Sequence, residues 1–220
     1  MFSLPWILSR PWIFCWLAIA AFAAVAGVSG QAAEKSMSQS AGTQQTAVFA
    51  GGCFWGVDAV FKHVKGVDRV VSGYAGGGAS TAQYETVSTG STGHAESVEV
   101  AYDPSQVSYG DLLKVFFNAA HDPTELNRQG PDEGSQYRSA IFYTNADQKK
   151  IADAYIAQLD RAKAYPDPIV TQVVPLKGFY PAEAYHQNYL ERHLDNPYIV
   201  FNDLPKLDLL REKFPQLYKP

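Results

Sequence analysis

Short apolar runs bounded by glycine and polar turns alternate along this chain with longer stretches of helical spacing. Ala47–Ala50 (AVFA) predicts a short buried strand, and apolar residues at 54, 57, 60, 61 and 64 then predict a helix. Gly51 and Gly52 supply the turn between them. Val67–Tyr74 (VDRVVSGY) predicts a second strand, ended by AGGG, and Glu96–Tyr102 (ESVEVAY) predicts a third with clear alternation. Ser108–Ala120 is amphipathic with Ser108 as N-cap. Beyond it the pattern predicts a strand at Arg138–Tyr143, a long helix at Ala146–Ala164, a strand at Ile169–Val174 and a helix at Ala182–Leu194. The tail from Asn196 to Pro220 carries four prolines and is expected to wrap the surface, with one short helix over Lys206–Lys213. No segment repeats, and strands and helices mix without the regular alternation of a doubly wound sheet. The expected class is α+β, a sandwich of a mixed or antiparallel sheet with helices packed on it.

The N-terminal pattern differs. Residues 11–28 (PWIFCWLAIAAFAAVAGV) are almost wholly apolar, follow a single positive residue, Arg10, and precede small residues (SGQAA). This predicts a secretory signal peptide over residues 1–32, with Val28-Ser29-Gly30 or Gly30-Gln31-Ala32 as cleavage pattern. The alternative is a retained inner-membrane anchor, because about 18 apolar residues approach the spanning minimum. Either way the expectation is export, to the periplasm. Residues 33–45 read as a flexible linker within a small, polar stretch, and residues 46–220 as the catalytic domain.

Composition narrows the functional classes. The chain has 220 residues, 46% hydrophobic and 18% charged, with net charge −4. That charge argues against a nucleic-acid partner, which needs a basic footprint. Removing residues 1–32 takes away Arg10 and Cys15, leaving 17 basic against 22 acidic residues and one cysteine, Cys53. A lone cysteine in an exported chain forms no internal disulfide and is either an inert buried thiol or a reactive one. Its place at a strand-to-helix turn favours reactivity, because unpaired N–H groups at a helix start lower a thiol's pKa.

Two further features carry chemistry. Period-two geometry puts Glu96 on the face of Val98, Val100 and Tyr102, at the rim of the core, where a carboxyl holds its proton and can serve as a general acid. The stretch from His121 to Ser139 is long, polar and rich in hydrogen-bonding groups rather than solvating lysines, as functional loops are. His94 and His121 match no metal-ligand spacing, and no metal is expected.

Five stretches resemble the A-type peptide methionine sulfoxide reductases: GGCFWG (51–56), GYAGG (73–77), YETVSTGSTGHAESVEVAYDP (84–104), HDPTELNRQGPDEGSQYRSAI (121–141) and FYPAEAYHQNYL (179–190). They lie in the family's order. The resemblance implies a two-layer α/β sandwich on a ferredoxin-like core. It implies thiol-dependent reduction of free or peptide-bound methionine S-sulfoxide through a sulfenic acid, in repair of oxidised exported proteins. Cys53 would be the nucleophile. Glu96, Tyr84 and Tyr137 would hydrogen-bond and protonate the sulfoxide oxygen. Phe54 and Trp55 would form the apolar pocket for the S-methyl group, Asp132 would handle substrate or reductant, and Tyr185 would be a further pocket tyrosine. No cofactor is implied beyond an external thiol reductant such as thioredoxin, glutaredoxin or glutathione, and a monomer is favoured.

The chain departs from the family at three points. Many members carry further cysteines near the C-terminus; this tail has none, so an external thiol must reduce Cys53 directly. Ser88 stands where some members have cysteine, and Asp58 where glutamate is usual. Two other classes compete with the reductase. One is a cysteine hydrolase with His94 or His121 as base. The other is a non-catalytic secreted binding module with Cys53 buried.

Overall fold

The computed structural model describes residues 44–220, so the expected leader and nearly all of the expected linker lie outside the described residues. Four strands and two helical segments build the centre: β1 (Gln45–Gly51), α1 (Phe54–Lys62), β2 (Val67–Ala75), β3 (Ala95–Tyr102), α3 (Tyr109–Val115) and β6 (Ser139–Tyr143). A short helix, α2 (Tyr84–Val87), precedes β3, and a small hairpin of β4 (Arg128–Gln129) and β5 (Asp132–Glu133) precedes β6. Helix α4 (Ala146–Ala162), strands β7 (Gln172–Pro175) and β8 (Phe179–Pro181), and helices α5 (Tyr189–Arg192) and α6 (Leu204–Lys213) complete the chain.

The six-stranded sheet runs β7-β6-β1-β3-β2-β8. Only β6 and β7 pair in parallel; the other neighbours are antiparallel. The central order β6-β1-β3-β2, linked as strand–helix–strand–strand–helix–strand, is the ferredoxin-like arrangement. The fold is α+β with a mixed sheet, as expected.

Both faces of the sheet are covered, which explains why AVFA is apolar without interruption. Ala47 and Phe49 enter the main core with α1 and α3, whereas Val48 and Ala50 pack on the other face against Ala75, Ala95, Ala140 and Phe142. Phe49 stacks on Phe61 at 5.1 Å and on Phe116 at 4.9 Å. Such pairs add about 0.5–1.5 kcal/mol each beyond burial. Ser108 caps α3 as expected: its Oγ accepts the Asp111 N–H at 3.1 Å, and the Asp111 carboxylate accepts back from the Ser108 N–H. The expected Ser108–Ala120 helix widens into a π turn over Phe116–Ala120.

The C-terminal third differs most from expectation. The helix expected over Ala182–Leu194 is reduced to α5, preceded by turns and by β8. Its polar residues bond elsewhere in the fold instead of tolerating a helix. The Gln187 amide accepts the Ser72 N–H and donates to the carbonyls of Ser72 and Ala182. Asn188 takes the left-handed conformation at φ 52°, which no helix interior permits. The tail wraps as expected and is pinned to the end of α1: the Lys65 N–H donates to the Leu217 carbonyl at 2.7 Å, and Lys219 N–H to His63 at 2.8 Å.

Candidate active site

Cys53 ends the β1–α1 turn and occupies the N-cap of α1, with φ −53° and ψ 123°. Gly52 makes the turn possible twice over. Its φ is +89°, and a Cβ there would lie 2.5 Å from the Gln129 side chain. The first N–H of α1, on Phe54, does not serve the sulfur; it donates to Glu96 Oε2 at 3.0 Å. Strand β3 thereby places a carboxyl beside the thiol's own neighbour.

Burial governs both groups, and Glu96 acts on the thiol. Glu96 is only 3% exposed. Burial raises its pKa to about 8, with Asp132 and Asp203 adding to the rise and the Phe54 N–H opposing it. The inward carboxyl expected from the strand pattern is thus a protonated one near neutral pH. The acidified thiol is corrected. Burial pushes the Cys53 pKa well above its ordinary value, and the carboxylates of Glu96 and Asp203 push it further; the Trp55 N–H and Lys206 only partly counter them. A helix start lowers a thiol's pKa where water also reaches it, and here the cysteine is 8% exposed.

Tyr84 opens α2, and Tyr137 ends a 3-10 turn over Ser135–Tyr137. Burial raises the pKa of both phenols, and the neighbouring Glu96 charge raises each further; Cys53 also bears on both. Both therefore remain O–H donors beside the thiol and the acid. The Tyr137 turn is anchored by Ser135 Oγ, which donates to the Gly90 carbonyl at 2.7 Å, and by the Gln136 amide on Ser88. Asp132 accepts a hydrogen bond from the Tyr198 hydroxyl, and its carboxyl is raised chiefly by burial.

An aromatic wall stands beside this cluster. Phe54 is buried between Tyr74, at 5.9 Å, and His186, at 5.0 Å. Trp55 stacks on Tyr189 at 3.7 Å, and its Nε1–H donates to His186 Nδ1 at 3.1 Å. Accepting that bond fixes the tautomer: the proton of neutral His186 sits on Nε2. Tyr185 is the expected pocket residue that the fold leaves outermost. It is 54% exposed and lies edge-on to Tyr84 at 6.5 Å.

The departures from the family pattern are structural. Ser88 Oγ donates to the Tyr84 carbonyl at 2.7 Å, closing α2. Asp58 is buried, pairs with Lys62, and has its pKa raised by burial to about 6 against that lysine's pull.

Four contributors were not singled out from sequence. Tyr198 stands edge-on to Trp55 at 6.0 Å, and Asp203 and Lys206 bring charge to the sulfur. Glu183 accepts the Tyr84 N–H at 2.9 Å and the Tyr74 hydroxyl at 2.8 Å, seating α2. An aromatic or an i,i+3 acid–base pair in a polar, proline-rich tail reads as surface, so no local signal marked Tyr198, Asp203 or Lys206.

Neither candidate base of a hydrolase is available. His94 Nδ1 accepts the Gly77 N–H at 3.3 Å, so Nε2 carries the proton and donates to the Gly78 carbonyl at 3.0 Å. His121 Nδ1 donates to the Phe116 carbonyl at 2.9 Å, and Nε2 accepts from Ser139 Oγ at 2.7 Å. Burial lowers its pKa to about 4. Among the described residues no group of three or more His, Cys, Asp or Glu side chains could hold a metal ion.

A thiol at a helix start, a buried carboxyl bonded to the N–H of the next residue, and phenols bearing on both, on a ferredoxin-like sheet, are the groups of a thiol-based enzyme. The sequence matches the family model "Peptide methionine sulfoxide reductase" over residues 45–218. It is 63% identical over 79% of its length to peptide methionine sulfoxide reductase MsrA 2 of Mesorhizobium japonicum, covering 89% of that protein. It is 50% identical over 80% of its length to MsrA of Thermus thermophilus, covering 99% of that protein. Among solved structures it resembles reduced Mxr1 of Saccharomyces cerevisiae, with TM-score 0.66, 32% identity and coverage of 70% of this chain and 88% of that one. Methionine sulfoxide reductase A of Corynebacterium diphtheriae matches with TM-score 0.61, 36% identity and coverage of 70% and 76%. The chain belongs to the peptide methionine sulfoxide reductase family, of the A type. Its activity is that of a peptide-methionine (S)-S-oxide reductase.

Proposed function

We propose that Cys53 attacks the sulfur of methionine S-sulfoxide while Glu96, Tyr84 and Tyr137 hold and protonate its oxygen. The observation that carries this reading is the bond from the Phe54 N–H to Glu96 Oε2. It leaves Oε1 of the protonated acid free to donate and sets that donor beside the thiol. Sulfoxide sulfur is a poor electrophile until its oxygen accepts protons, so donors aimed at that oxygen act where charge develops. The partly positive sulfur also favours the thiolate that burial disfavours.

The balance closes within the site. Glu96 gives its proton to the oxygen, and the thiol proton replaces it on the carboxylate. The oxygen passes to Cys53 as sulfenic acid, the first reversible stage of thiol oxidation, and the methionine thioether leaves. Phe54 and Trp55 offer the S-methyl group an apolar wall. Tyr198 and Asp132, joined by their hydrogen bond, extend the polar surroundings of the reacting atoms.

Cys53 is the free cysteine of the described residues, so none of them offers a second thiol to close a disulfide on it. An external thiol (thioredoxin, glutaredoxin or glutathione) therefore restores the enzyme: two thiols become a disulfide, and the sulfenic oxygen leaves as water. The apolar leader pattern at residues 11–28 supports export, and oxidised exported proteins are then the substrates.

The test is incubation with each sulfoxide epimer and dithiothreitol, beside Cys53→Ser. Turnover of the S epimer alone is expected, and mass spectrometry after one turnover should find sulfenate or a mixed disulfide at Cys53. An internal disulfide would contradict the one-cysteine scheme. Cell fractionation, with a search for the N-terminal residue, tests export.

A further inference from the structure

Asp203 and Lys206 form an ion pair, the aspartate buried and the lysine partly so, that the proton transfers above do not use. Asp203 occupies the N-cap position of α6, where an aspartate ordinarily accepts N–H groups of the first turn, yet it makes no cap hydrogen bond. Its Oδ1 instead accepts from Lys206 Nζ at 3.1 Å. Its Oδ2 is buried with no hydrogen-bond partner, and the residue is 0% exposed. The pair fills the space over Gly56, three residues from Cys53 on the first turn of α1. A Cβ at Gly56 would lie 2.1 Å from Asp203 Oδ1 and 2.8 Å from Lys206 Nζ. The π turn Ile199–Asp203 delivers the carboxylate to that place, and π turns gather at functional sites. Stability alone is a weak reason for such a pair, because removing both charges from water offsets much of their attraction.

We propose that Lys206, clamped by Asp203 over the Gly56 backbone, is a positioning cation that sets the charge state of Cys53 and steadies its thiolate and sulfenate forms. This rests on Cys53 being the nucleophile. The groups facing the sulfur come from several elements: Glu96 on β3, Asp203 and Lys206 on the tail, and the phenols of Tyr84, Tyr137 and Tyr198. Asp132, Asp203 and His121 face Lys206. Lys206 is the cation of the set that bears on Cys53, and Asp203 both seats it and mutes it. The two members of one ion pair therefore act on the thiol with opposite sign.

The experiment is the pH dependence of Cys53 alkylation by iodoacetamide on the full chain, resolved to the cysteine by mass spectrometry. Lys206→Met is expected to move the midpoint up and slow alkylation at neutral pH about threefold, the effect of half a pKa unit. Lys206→Arg should keep most of the wild-type rate. Asp203→Asn removes a negative charge and unmasks the lysine, so its midpoint should move down and its rate rise about three- to tenfold. A pair that only staples the tail predicts something else: both neutral variants slowed or quickened alike, or both unchanged, and either result overturns the proposal. Should Asp203→Asn fail to fold, the methionine–arginine contrast decides, and equal profiles for the two overturn it. Alkylation is read without sulfoxide, so failure here leaves the reduction scheme standing, whereas an active Cys53→Ser enzyme removes both.

Discussion

Cys53 is addressed from two directions that are built differently. On one side, β3 carries Glu96 by plain strand geometry: the register sets it opposite Tyr74, and the valines beside it hold the strand in the core. On the other, the segment from Ala182 to Lys206 brings Tyr198, Asp203 and Lys206 through turns, a left-handed asparagine and a π turn. The regular side supplies the acid. The irregular side supplies the charges and the phenol that bear on the sulfur and on Asp132. A strand fixes one donor rigidly, while a wrapped tail can be rebuilt residue by residue without disturbing the sheet.

The largest effect breaks both sides at once. Cys53→Ser leaves every partner in place and should reduce sulfoxide turnover to background, because a hydroxyl is neither as nucleophilic nor as readily oxidised. Turnover near the wild-type level would mean that neither side acts on this sulfur.

Glu96→Gln tests the strand side alone. It retains a hydrogen-bond donor but has no proton to give, and kcat should fall on the order of 10²–10³-fold. The wild-type rate should decline as pH rises through about 8, where the carboxyl ionises, and the Gln variant should lack that limb. Stability carries the same signature. The folded carboxyl is held above its ordinary 4.5, so folding takes up a proton between 4.5 and about 8. That contribution is complete below this window and is lost as pH rises through it. Urea midpoints across the window should drop more in the wild type than in the Gln variant.

Tyr198→Phe tests the tail side, with a smaller expectation. It removes the hydroxyl bonded to Asp132 and should cost about tenfold in kcat/KM, the lower range for a hydrogen bond to a charged group. A loss matching that of Glu96→Gln would make the tail an equal partner rather than a tuning element.

The same division decides what the sequence could reveal. Glu96 was legible because alternation along ESVEVAY has only two faces and the valines name the inner one. Cys53 was legible because two glycines, an apolar run before and a helical period after fix a strand–turn–helix. The mixed sheet was legible in the irregular mixing of strands and helices, whereas its ferredoxin-like core was implied only by the family resemblance. The helix expected at Ala182–Leu194 forms only over α5, because Gln187 bonds to β2, Glu183 to α2 and Asn188 to Lys62 of α1 in preference to their own turn. Periodicity records what is apolar; it does not record where a glutamine finds its carbonyl. The thiol's raised pKa was hidden for a related reason. The helix start is local and visible, whereas the burial that outweighs it is built by the whole fold, and the carboxylates that add to it come from residues 43 and 150 positions away.

Tyr185 gives the smallest effect and the sharpest check on where the tail side stops. The family pattern makes it a pocket residue, yet its ring is 54% exposed and reaches the site only by leaning edge-on against Tyr84 and tilted over His186. A side chain with that much solvent around it contributes within about 0.5 kcal/mol, roughly twofold. Tyr185→Ala should therefore leave kcat unchanged with dithiothreitol and free methionine sulfoxide, and shift KM no more than about twofold. A drop in kcat as large as that expected for Tyr198→Phe would mean that the ring swings inward over bound substrate. The outer turn at residues 182–188 would then belong to the machinery instead of its rim.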